Sequence, residues 1–323
     1  MKKAAALIVL VCLCLTSCSA AKLQPFEKHW AYNDIIELEE KNFINMTDEN
    51  FKPDEDISRG EFLNLLINVM VSADAANIKG GLFKSKKPIK RGEAVYIIAA
   101  ALKLKDKRNN VEFSDGVDDP YVYAIYNAGY MKGYADKSFK WSKNLTKAEC
   151  MVVMNRISSN MKSDDDINFE TERKFLIHTE NIPYDLAKAD KYEILQTYVN
   201  YSPEVRVREI NGYDHWFALK MPKDSIGLSR LELEFPIINE EYESLYSREE
   251  NTLKKTRYQF LQGEHMVAID IYDGDLKGLA VAEIEFESVE DAEEFVPFDW
   301  FIKDVTSDKR YKNAGLAKDG FPE

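Results

Sequence analysis

Charged and apolar residues alternate along several stretches of the C-terminal half of the chain. Successive side chains of a β-strand point to opposite faces, so this period of two predicts strands with one charged and one apolar face. The apolar positions include Val205 and Val207, Leu231 and Leu233, and Ile284 and Phe286. The charged positions form five like-charged pairs: Glu170 and Glu172, Arg206 and Arg208, Glu232 and Glu234, Lys255 and Arg257, and Glu283 and Glu285. The apolar faces must be buried, which leaves the charged faces for solvent or for a polar interior.

These charged faces allow two interpretations. For any single pair, a solvated sheet face is the more common structure. Like charges side by side on an exposed face are unfavourable, however, and five such pairs favour an enclosed site inside a barrel. Glu170, Glu172 and Lys174 share one face of the segment 169–177, and adjacent carboxylates repel each other unless a cation lies between them. A metal ion together with a phosphate is the simplest ligand pair that satisfies all three charges.

Residues 26–162 contain three copies of a short pattern, which indicates a repeat module. Each copy leads from a segment that contains phenylalanine into an apolar helical stretch, and the predicted helices lie around Leu63–Met70, Val95–Leu104 and Met151–Ile157. A polar residue stands three positions before a glutamate at each helix start: Ser58 before Glu61, Lys90 before Glu93, and Thr146 before Glu149. The first and third of these fit a capping box. The acidic run from Ser163 to Asp166 predicts a linker at residues 163–167, followed by a second domain at residues 168–323.

The first 18 residues have the composition of a secretory signal peptide. Lys2 and Lys3 precede an apolar core from Ala4 to Leu15, which is too short for a comfortable membrane-spanning helix. The following Leu15-Thr-Ser-Cys18 resembles a bacterial lipobox, which implies removal of residues 1–17 and a lipid on the sulfur of Cys18. An ordinary signal peptide and an uncleaved membrane anchor are the alternatives. We therefore expect a lipid-anchored protein of the cell envelope, at the outer face of the cytoplasmic membrane.

Composition narrows the class of partner. A chain of 323 residues is long enough for two domains of ordinary size. Without Lys2 and Lys3 it would carry 41 basic and 56 acidic residues, a formal charge of −15, which argues against a nucleic-acid partner. After cleavage the remaining cysteines would be Cys18 and Cys150, so we predict no internal disulfide and a buried Cys150. The four histidines are scattered without metal-ligand spacing, and we assign none of them to a site.

The ordered charged motifs of the C-terminal half resemble a known family. Residues 168–323 are similar to the CYTH domain, the triphosphate tunnel metalloenzyme fold of bacterial triphosphatases, class IV adenylate cyclases and thiamine triphosphatase. The collinear motifs are Glu170-x-Glu172-x-Lys174, Arg206-x-Arg208, Lys220, Arg230-x-Glu232-x-Glu234, Lys255-Thr-Arg257, Asp270, Glu283-x-Glu285, Lys303 and Arg310-Tyr311-x-Asn313. The ending from Lys303 to Asn313 fits the bacterial inorganic triphosphatase branch best. The resemblance implies an antiparallel β-barrel tunnel of about eight strands with flanking helices, which we expect around Tyr184–Tyr198 and Val289–Phe295.

The same resemblance implies roles for the charged residues. Five carboxylates would bind Mg²⁺ or Mn²⁺, both of which prefer oxygen ligands: Glu170, Glu172, Asp270, Glu283 and Glu285. A second ion would be held by Glu232 and Glu234. Six cations would act in catalysis and also bind the phosphate chain: Lys174, Arg206, Arg208, Lys220, Arg257 and Lys303. Three more would contribute to substrate binding alone: Arg230, Lys255 and Arg310.

The N-terminal repeats resemble S-layer homology (SLH) repeats, with their helix, Phe-x-Pro segment and Thr-Arg-Ala-Glu helix start. In that family three copies form a three-helix prism whose grooves bind cell-wall polysaccharide. The resemblance implies an α-helical module at residues 26–162, and it makes Trp30 and Arg59 candidate contacts for wall polymer. A purely structural spacer is the alternative.

Together these features predict an α+β protein of the envelope that hydrolyses a triphosphate with the help of a divalent metal ion. Two alternatives stay open: the tunnel could capture polyphosphate or a phosphorylated ligand at the wall without turnover, or the CYTH domain could act as an adenylate cyclase. The scarcity of ATP outside the cell argues against the cyclase. No base-recognition motif separates tripolyphosphate from a nucleoside triphosphate as the substrate.

Overall fold

The structure is a computed structural model that describes residues 26–45, 51–71, 81–105, 111–160, 169–222, 229–246 and 251–322. The predicted signal peptide (residues 1–17), Cys18 and the predicted linker (residues 163–167) lie outside the described residues. Within the described part of the chain, no helix is both long enough and apolar enough to cross a membrane.

The N-terminal half is built from helices. Its described residues form α1 (Tyr32–Glu40), α2 (Arg59–Val71), α3 (Arg91–Ala101), α4 (Pro120–Asn127) and α5 (Lys147–Asn160). Ser58 and Glu61 exchange backbone-to-side-chain hydrogen bonds of 3.0 and 3.2 Å, and Thr146 and Glu149 do the same at 3.1 and 3.2 Å. Both predicted capping boxes are therefore confirmed. Cys150 is fully buried in α5, as predicted.

The three repeats are arranged around an approximate threefold axis. The N–H of Ile57 donates to the carbonyl of Leu145 at 2.9 Å, and that of Leu145 donates to Ile89 at 2.9 Å. The N–H of Ile89 closes the ring on Ile57 at 3.1 Å. Each of these buried residues comes two positions before a helix start, so the ring brings the beginnings of α2, α3 and α5 together.

The C-terminal half is an antiparallel sheet. Its described strands are β1 (Phe169–Ile177), β2 (Asp190–Tyr201), β3 (Glu204–Ile210), β4 (Asp214–Pro222), β5 (Ser229–Ile237), β6 (Thr252–Gln262), β7 (His265–Tyr272), β8 (Ala280–Phe286) and β9 (Phe301–Asp304). Their order in the sheet is β5-β4-β3-β2-β6-β7-β8-β1-β9. The first three residues of β1 also pair with β5, but apart from this short contact the sheet ends at β5 and β9. The expected combination of helices with an antiparallel sheet is confirmed, but the sheet is not closed into the expected barrel, since β1 and β5 pair over three residues only.

The segment around Tyr184–Tyr198 is a strand and not the expected helix. It contains a 3₁₀ turn at Leu186–Lys188, and from Asp190 it forms β2, which pairs with β3 on one side and β6 on the other. The aromatic and β-branched residues of this segment suit a strand whose two edges are both paired. The short helices of this half are α6 (Asn239–Leu245), α7 (Val289–Glu294) and α8 (Asn313–Asp319). Helix α7 confirms the second expected helix.

The two halves share one hydrophobic core. The apolar positions of β3, β4 and β5 pack against the helical module: Val205, Val207, Phe217, Leu219, Leu233, Phe235 and Ile237. Phe83, which precedes α3, lies with its ring centroid 5.3 Å from that of Phe217. Burial of a large apolar side chain stabilises a fold by about 1.5–3 kcal/mol, so this contact holds the halves together strongly. The opposite, charged face of the same strands is left to line the interior.

Candidate active site: the charged central cavity

The charged face of the sheet surrounds a cavity of about 140 Å³, the central cavity. The alternation along β3 turns Arg206 and Arg208 into this cavity and Val205 and Val207 into the shared core. All of the lining side chains are polar: Glu170, Glu172, Lys174, Gln196, Glu204, Arg206, Arg208, Lys220, Glu232, Glu234, Lys255, Arg257, Glu283, Glu285, Lys312 and Asn313. This lining contains seven carboxylates and seven cations, so their formal charges cancel.

Ion pairs span the cavity from strand to strand. Lys174 on β1 lies 2.6 Å from Glu283, its direct partner on β8. Lys220 on β4 lies 2.9 Å from Glu232 on β5 and is also bonded to Glu170 on β1. Each of these five side chains is less than a tenth exposed. Opposite charges held so closely in a buried site keep each other ionised, and the register of the strands is what brings them together.

Asp270 lies just outside the cavity lining and is held by two cations. Its carboxylate accepts hydrogen bonds from Lys255 at 2.5 Å and from the Nε of Arg257 at 2.7 Å, and it is completely buried. Burial and the neighbouring Arg257 lower the pKa of Lys255 to about 7. Against the effect of burial, Arg257 and Lys255 lower the pKa of Asp270. Both oxygens of Asp270 are thus engaged by cations, and its role as a metal ligand stays a prediction.

Two arginines of the cavity lining carry buried donors without an acceptor in the described residues. The Nε–H groups of Arg206 and Arg208 are buried and have no acceptor in the described part of the chain, and the Oε1 of Gln196 has no donor there. The terminal nitrogens of Arg206 lie 3.5 Å from Glu204 and 3.6 Å from Glu232. A buried donor without an acceptor costs about 1–3 kcal/mol, so such groups mark a place where a ligand can complete the bonding. Phosphate oxygens are acceptors that guanidinium groups bind well.

The carboxylates of β1, β5 and β8 lie close to one another in the same cavity. Glu172 and Glu285 are direct partners across β1 and β8. Burial raises the pKa of Glu285, and the carboxylates of Glu170, Glu232 and Glu172 raise it further. A bound cation would relieve this repulsion, so the donor chemistry fits a hard divalent ion such as Mg²⁺ or Mn²⁺. In the described residues, however, no three His, Cys, Asp or Glu side chains are already arranged to hold an ion.

Two predicted site residues lie away from the cavity. Lys303 on β9 and Arg310 before α8 are exposed, and Arg310 pairs with Asp308 at 2.7 Å. The reason is positional: β9 pairs with Phe175–Ile177, which lie beyond Lys174, the last cavity residue of β1. The side chain of Arg230, a further predicted substrate contact, lies outside the described residues. The other predicted cations and the six predicted glutamates all line the cavity.

Sequence reasoning assigned no role to four cavity residues, of which Asn313 appears only as the end of a motif: Gln196, Glu204, Lys312 and Asn313. Glu204 lies two positions before Arg206 on the same face of β3, so the alternation along that strand could have identified it. Gln196 belongs to the strand that was expected to be helical. Lys312 and Asn313 precede or begin α8, where no periodicity marks them, and Lys312 lies 3.8 Å from Glu172.

The helical module has charged sites of its own at the starts of α2 and α3. Arg59 binds Glu241 of α6 through bonds of 2.8 and 3.1 Å, and both side chains are buried. Arg91, the equivalent residue of the second repeat, donates to two backbone carbonyls at 3.0 Å and borders a cleft of about 420 Å³. Trp30 lines that cleft and is 64% exposed. The structure therefore groups Trp30 with Arg91 and not, as expected, with Arg59, which faces the sheet.

Known proteins match both halves of the chain. The S-layer homology domain family matches residues 26–63 and 113–150. The inorganic triphosphatase of Nitrosomonas europaea is 35% identical over 153 residues, which are 46% of this chain and 96% of that protein. The inorganic triphosphatase of Acetivibrio thermocellus is 32% identical over 154 residues, which are 47% of this chain and 95% of that protein. A crystal structure of an inorganic triphosphatase is 31% identical and covers 46% of this chain and 93% of its own, with a TM-score of 0.34.

These matches fix the class of the protein. The similarity to the two triphosphatases extends over nearly all of their length at more than 30% identity. The chain therefore belongs to the inorganic triphosphatase family of CYTH proteins, and it carries SLH repeats in addition. Both predicted resemblances are confirmed.

Proposed function

We propose that the central cavity hydrolyses a triphosphate with the help of a divalent metal ion. The observation that carries this proposal is the pair of buried arginines, Arg206 and Arg208, whose Nε–H donors have no acceptor among the described residues and which line the cavity beside a cluster of carboxylates. A purely structural network would be expected to satisfy its buried donors. The similarity to inorganic triphosphatases supports tripolyphosphate as the first substrate to test.

The charge of the cavity explains why the reaction would need a metal ion. Seven carboxylates already balance seven cations, and a triphosphate would bring several further negative charges into a buried space. Glu170, Glu172, Asp270, Glu283 and Glu285 would hold one ion, and Glu232 with Glu234 a second. When bound, such an ion supplies a Lewis acid for phosphoryl oxygens and lowers the pKa of water. Carboxylates engaged in this way would release the lysines and arginines that they now hold.

The released cations would bind and orient the phosphate chain. Lys174, Arg206, Arg208, Lys220 and Arg257 enter the cavity from four different strands, so they can contact one linear polyphosphate from several sides. Phosphoryl transfer needs little covalent chemistry from the protein, because positioned cations stabilise the charge of the transition state. No Ser or Cys lines the cavity among the described residues, which supports direct attack by water.

Phosphate release tests this function directly. The chain without residues 1–18 would be incubated with tripolyphosphate, ATP and longer polyphosphate, each in Mg²⁺, in Mn²⁺ or in EDTA. We expect orthophosphate from tripolyphosphate when a divalent ion is present and none in EDTA. Binding of tripolyphosphate without turnover would favour the ligand-capture alternative. Cyclic AMP formed from ATP without orthophosphate would favour the adenylate cyclase.

We also propose that the protein is lipid-anchored through Cys18 in the cell envelope. The lipobox-like sequence and the SLH match, which suggests association with the cell surface, support this location. A Cys18→Ala variant should lose palmitate labelling and accumulate in the medium or as an uncleaved precursor. Labelling that persists in this variant would exclude Cys18 as the lipid site.

The cleft beside Arg91 is our proposed contact for wall polysaccharide. It is lined by Trp30 and Tyr134 together with Lys143 and Arg156, and an aromatic surface with nearby cations suits an acidic sugar. The chain without residues 1–18 should sediment with purified cell-wall sacculi, and Trp30→Ala should weaken the association. Absence of sedimentation in the unsubstituted chain would favour the spacer alternative.

A further inference from the structure

The three repeats place three equivalent basic residues at the starts of their helices. Arg59, Arg91 and Lys147 each begin a helix, and each donates its backbone N–H to a carbonyl of another repeat at 2.8–2.9 Å. The side chains continue this ring: Arg59 lies 3.2 Å from Glu93, and Arg91 lies 3.9 Å from Glu149. Because the backbone is equivalent at the three positions, differences between them reflect what each side chain faces outside the ring.

The three positions face different surroundings. Arg91 borders the open cleft with Trp30, and Lys147 stays within the module, 3.5 Å from Glu55. Arg59 instead faces the sheet, where its planar guanidinium meets both oxygens of Glu241. Exposure of the two side chains is 5% for Arg59 and 2% for Glu241. A bidentate pair of this kind is the geometry in which arginine recognises a carboxylate ligand.

Glu241 is itself fixed in place. It lies in the first turn of α6, where its carboxylate also accepts the backbone N–H of Ile238 at 3.0 Å. Its neighbour Tyr242 is buried in the shared core, with its ring centroid 4.5 Å from that of His215. Helix α6 therefore presents the Glu241 carboxylate to the module from a rigid support.

Two further ion pairs join the helical module to the sheet domain, with the cation on the same side as in the Arg59–Glu241 pair. Lys87 of the module is bonded to Glu240, and Lys103 at the end of α3 lies 3.8 Å from Glu232 of the central cavity. In each pair the module supplies the cation and the sheet domain supplies the carboxylate. The charges thus complement each other around the shared apolar core.

We infer that the first repeat position is a docking site for α6 of the same chain, with the Glu241 carboxylate in the place of an external acidic ligand. One consequence is that Arg59 is closed to wall polymer, whereas the cleft beside Arg91 stays open. The other is that the module is part of the structure of the sheet domain and not a tethered spacer. The docking does not depend on hydrolysis in the central cavity.

Charge exchange in the chain without residues 1–18 tests the docking. Arg59→Glu and Glu241→Arg would be made singly and together, and amide hydrogen exchange would be followed by mass spectrometry. In each single variant we expect exchange at least about tenfold faster in both α2 and β3–β5, because the two faces protect each other. The double variant should recover most of the protection, since the pair is rebuilt with its charges reversed.

Two further variants make the test specific. Lys147→Glu is the matched control, because it changes the equivalent basic residue of the third repeat, which pairs with Glu55 inside the module, and it should leave β3–β5 protected. Glu241→Gln keeps the shape of the side chain and should give the same pattern in weaker form if the reversed charges prevent folding. Unchanged exchange of β3–β5 in every Arg59 and Glu241 variant would overturn the docking, as would a double variant no better protected than the worse single one.

Discussion

The central cavity and the Arg59–Glu241 contact are both buried and both charged, yet they differ in how completely their groups are satisfied. At the contact, each oxygen of Glu241 has a donor, and the pair lies within a packed boundary. In the cavity, seven carboxylates and seven cations surround open volume, and the Nε–H groups of Arg206 and Arg208 have no acceptor among the described residues. The difference teaches that buried charge alone does not mark a functional site. Buried donors without an acceptor, when they belong to the lining of an open cavity, do mark one.

The carboxylates should give the largest effect on activity. In Glu170→Gln with Glu172→Gln, we expect tripolyphosphate hydrolysis to fall at least about a thousandfold, because the amides no longer offset the desolvation of the ion. The response to added Mg²⁺ or Mn²⁺ should disappear together with the activity. Phosphate release across a metal titration measures both. Glu193→Gln, an exposed glutamate on β2, is the matched control, and unchanged turnover in the double variant would refute the metal assignment.

Breaking the docking pair should give the next largest effect, but on stability. Arg59→Gln leaves Glu241 buried without its cation, which should lower the free energy of unfolding by roughly 3–5 kcal/mol. Urea unfolding measures the loss, and turnover of the folded variant should stay close to that of the unsubstituted enzyme. Lys87→Gln breaks the exposed pair with Glu240 and should cost much less. Equal stability of the two variants would mean that the buried Arg59–Glu241 pair contributes no more than the exposed Lys87–Glu240 pair.

Substitution of the cavity arginines should lower activity more than it lowers stability. Arg206→Gln and Arg208→Gln each remove charge-assisted hydrogen bonds worth roughly 1.5–3 kcal/mol, so tripolyphosphate affinity or turnover should fall about tenfold or more. If the main interaction of Arg206 and Arg208 were their mutual repulsion, substitution of either one would not lower the melting temperature. The structure places Glu204 and Glu232 beside Arg206 and bonds Arg208 to Glu234, so we expect both variants to melt somewhat lower. Thermal stabilisation by tripolyphosphate should shrink in both variants, and its full retention together with full turnover would mean that the ligand binds elsewhere.

The smallest effect is expected from the two predicted site residues that the structure places outside the cavity. Lys303→Gln and Arg310→Gln should change turnover by less than about twofold, because exposed side chains away from a site rarely matter more. Initial rates with tripolyphosphate and Mg²⁺ measure this. A tenfold loss in either variant would show that the C-terminal segment contacts the substrate after all.

Much of the cavity lining could be predicted because the sequence pattern that reveals it lies within single strands. Alternation along a strand decides which side chains share a face, and Arg206 and Arg208 show this pattern without any knowledge of their neighbours. Alternation does not show which strand lies opposite. The pairing of β6 with β7 places Arg257 opposite Asp270, and the alternation along either strand alone does not reveal this ion pair.

The relation between the two halves had no local signal. Arg59 and Glu241 are separated by 182 positions, and each has an ordinary local function at a helix start. The apolar faces of β3–β5 predicted burial but not the identity of the covering layer. Similarly, the helix expected at β2 is wrong: one edge of β2 pairs with the neighbouring β3, and the other pairs with β6, which lies beyond β3, β4 and β5 in the sequence. Long-range pairing decided each of these features.

The most direct test of the central claim is a crystal structure of the chain without residues 1–18 with Mn²⁺ and tripolyphosphate, in which anomalous scattering locates the metal. We predict a manganese peak among Glu170, Glu172, Glu283 and Glu285, and phosphate oxygens within hydrogen-bond distance of the guanidinium groups of Arg206 and Arg208. Metal and tripolyphosphate bound outside the cavity, with its ion pairs unchanged, would contradict the claim that this cavity is the active site.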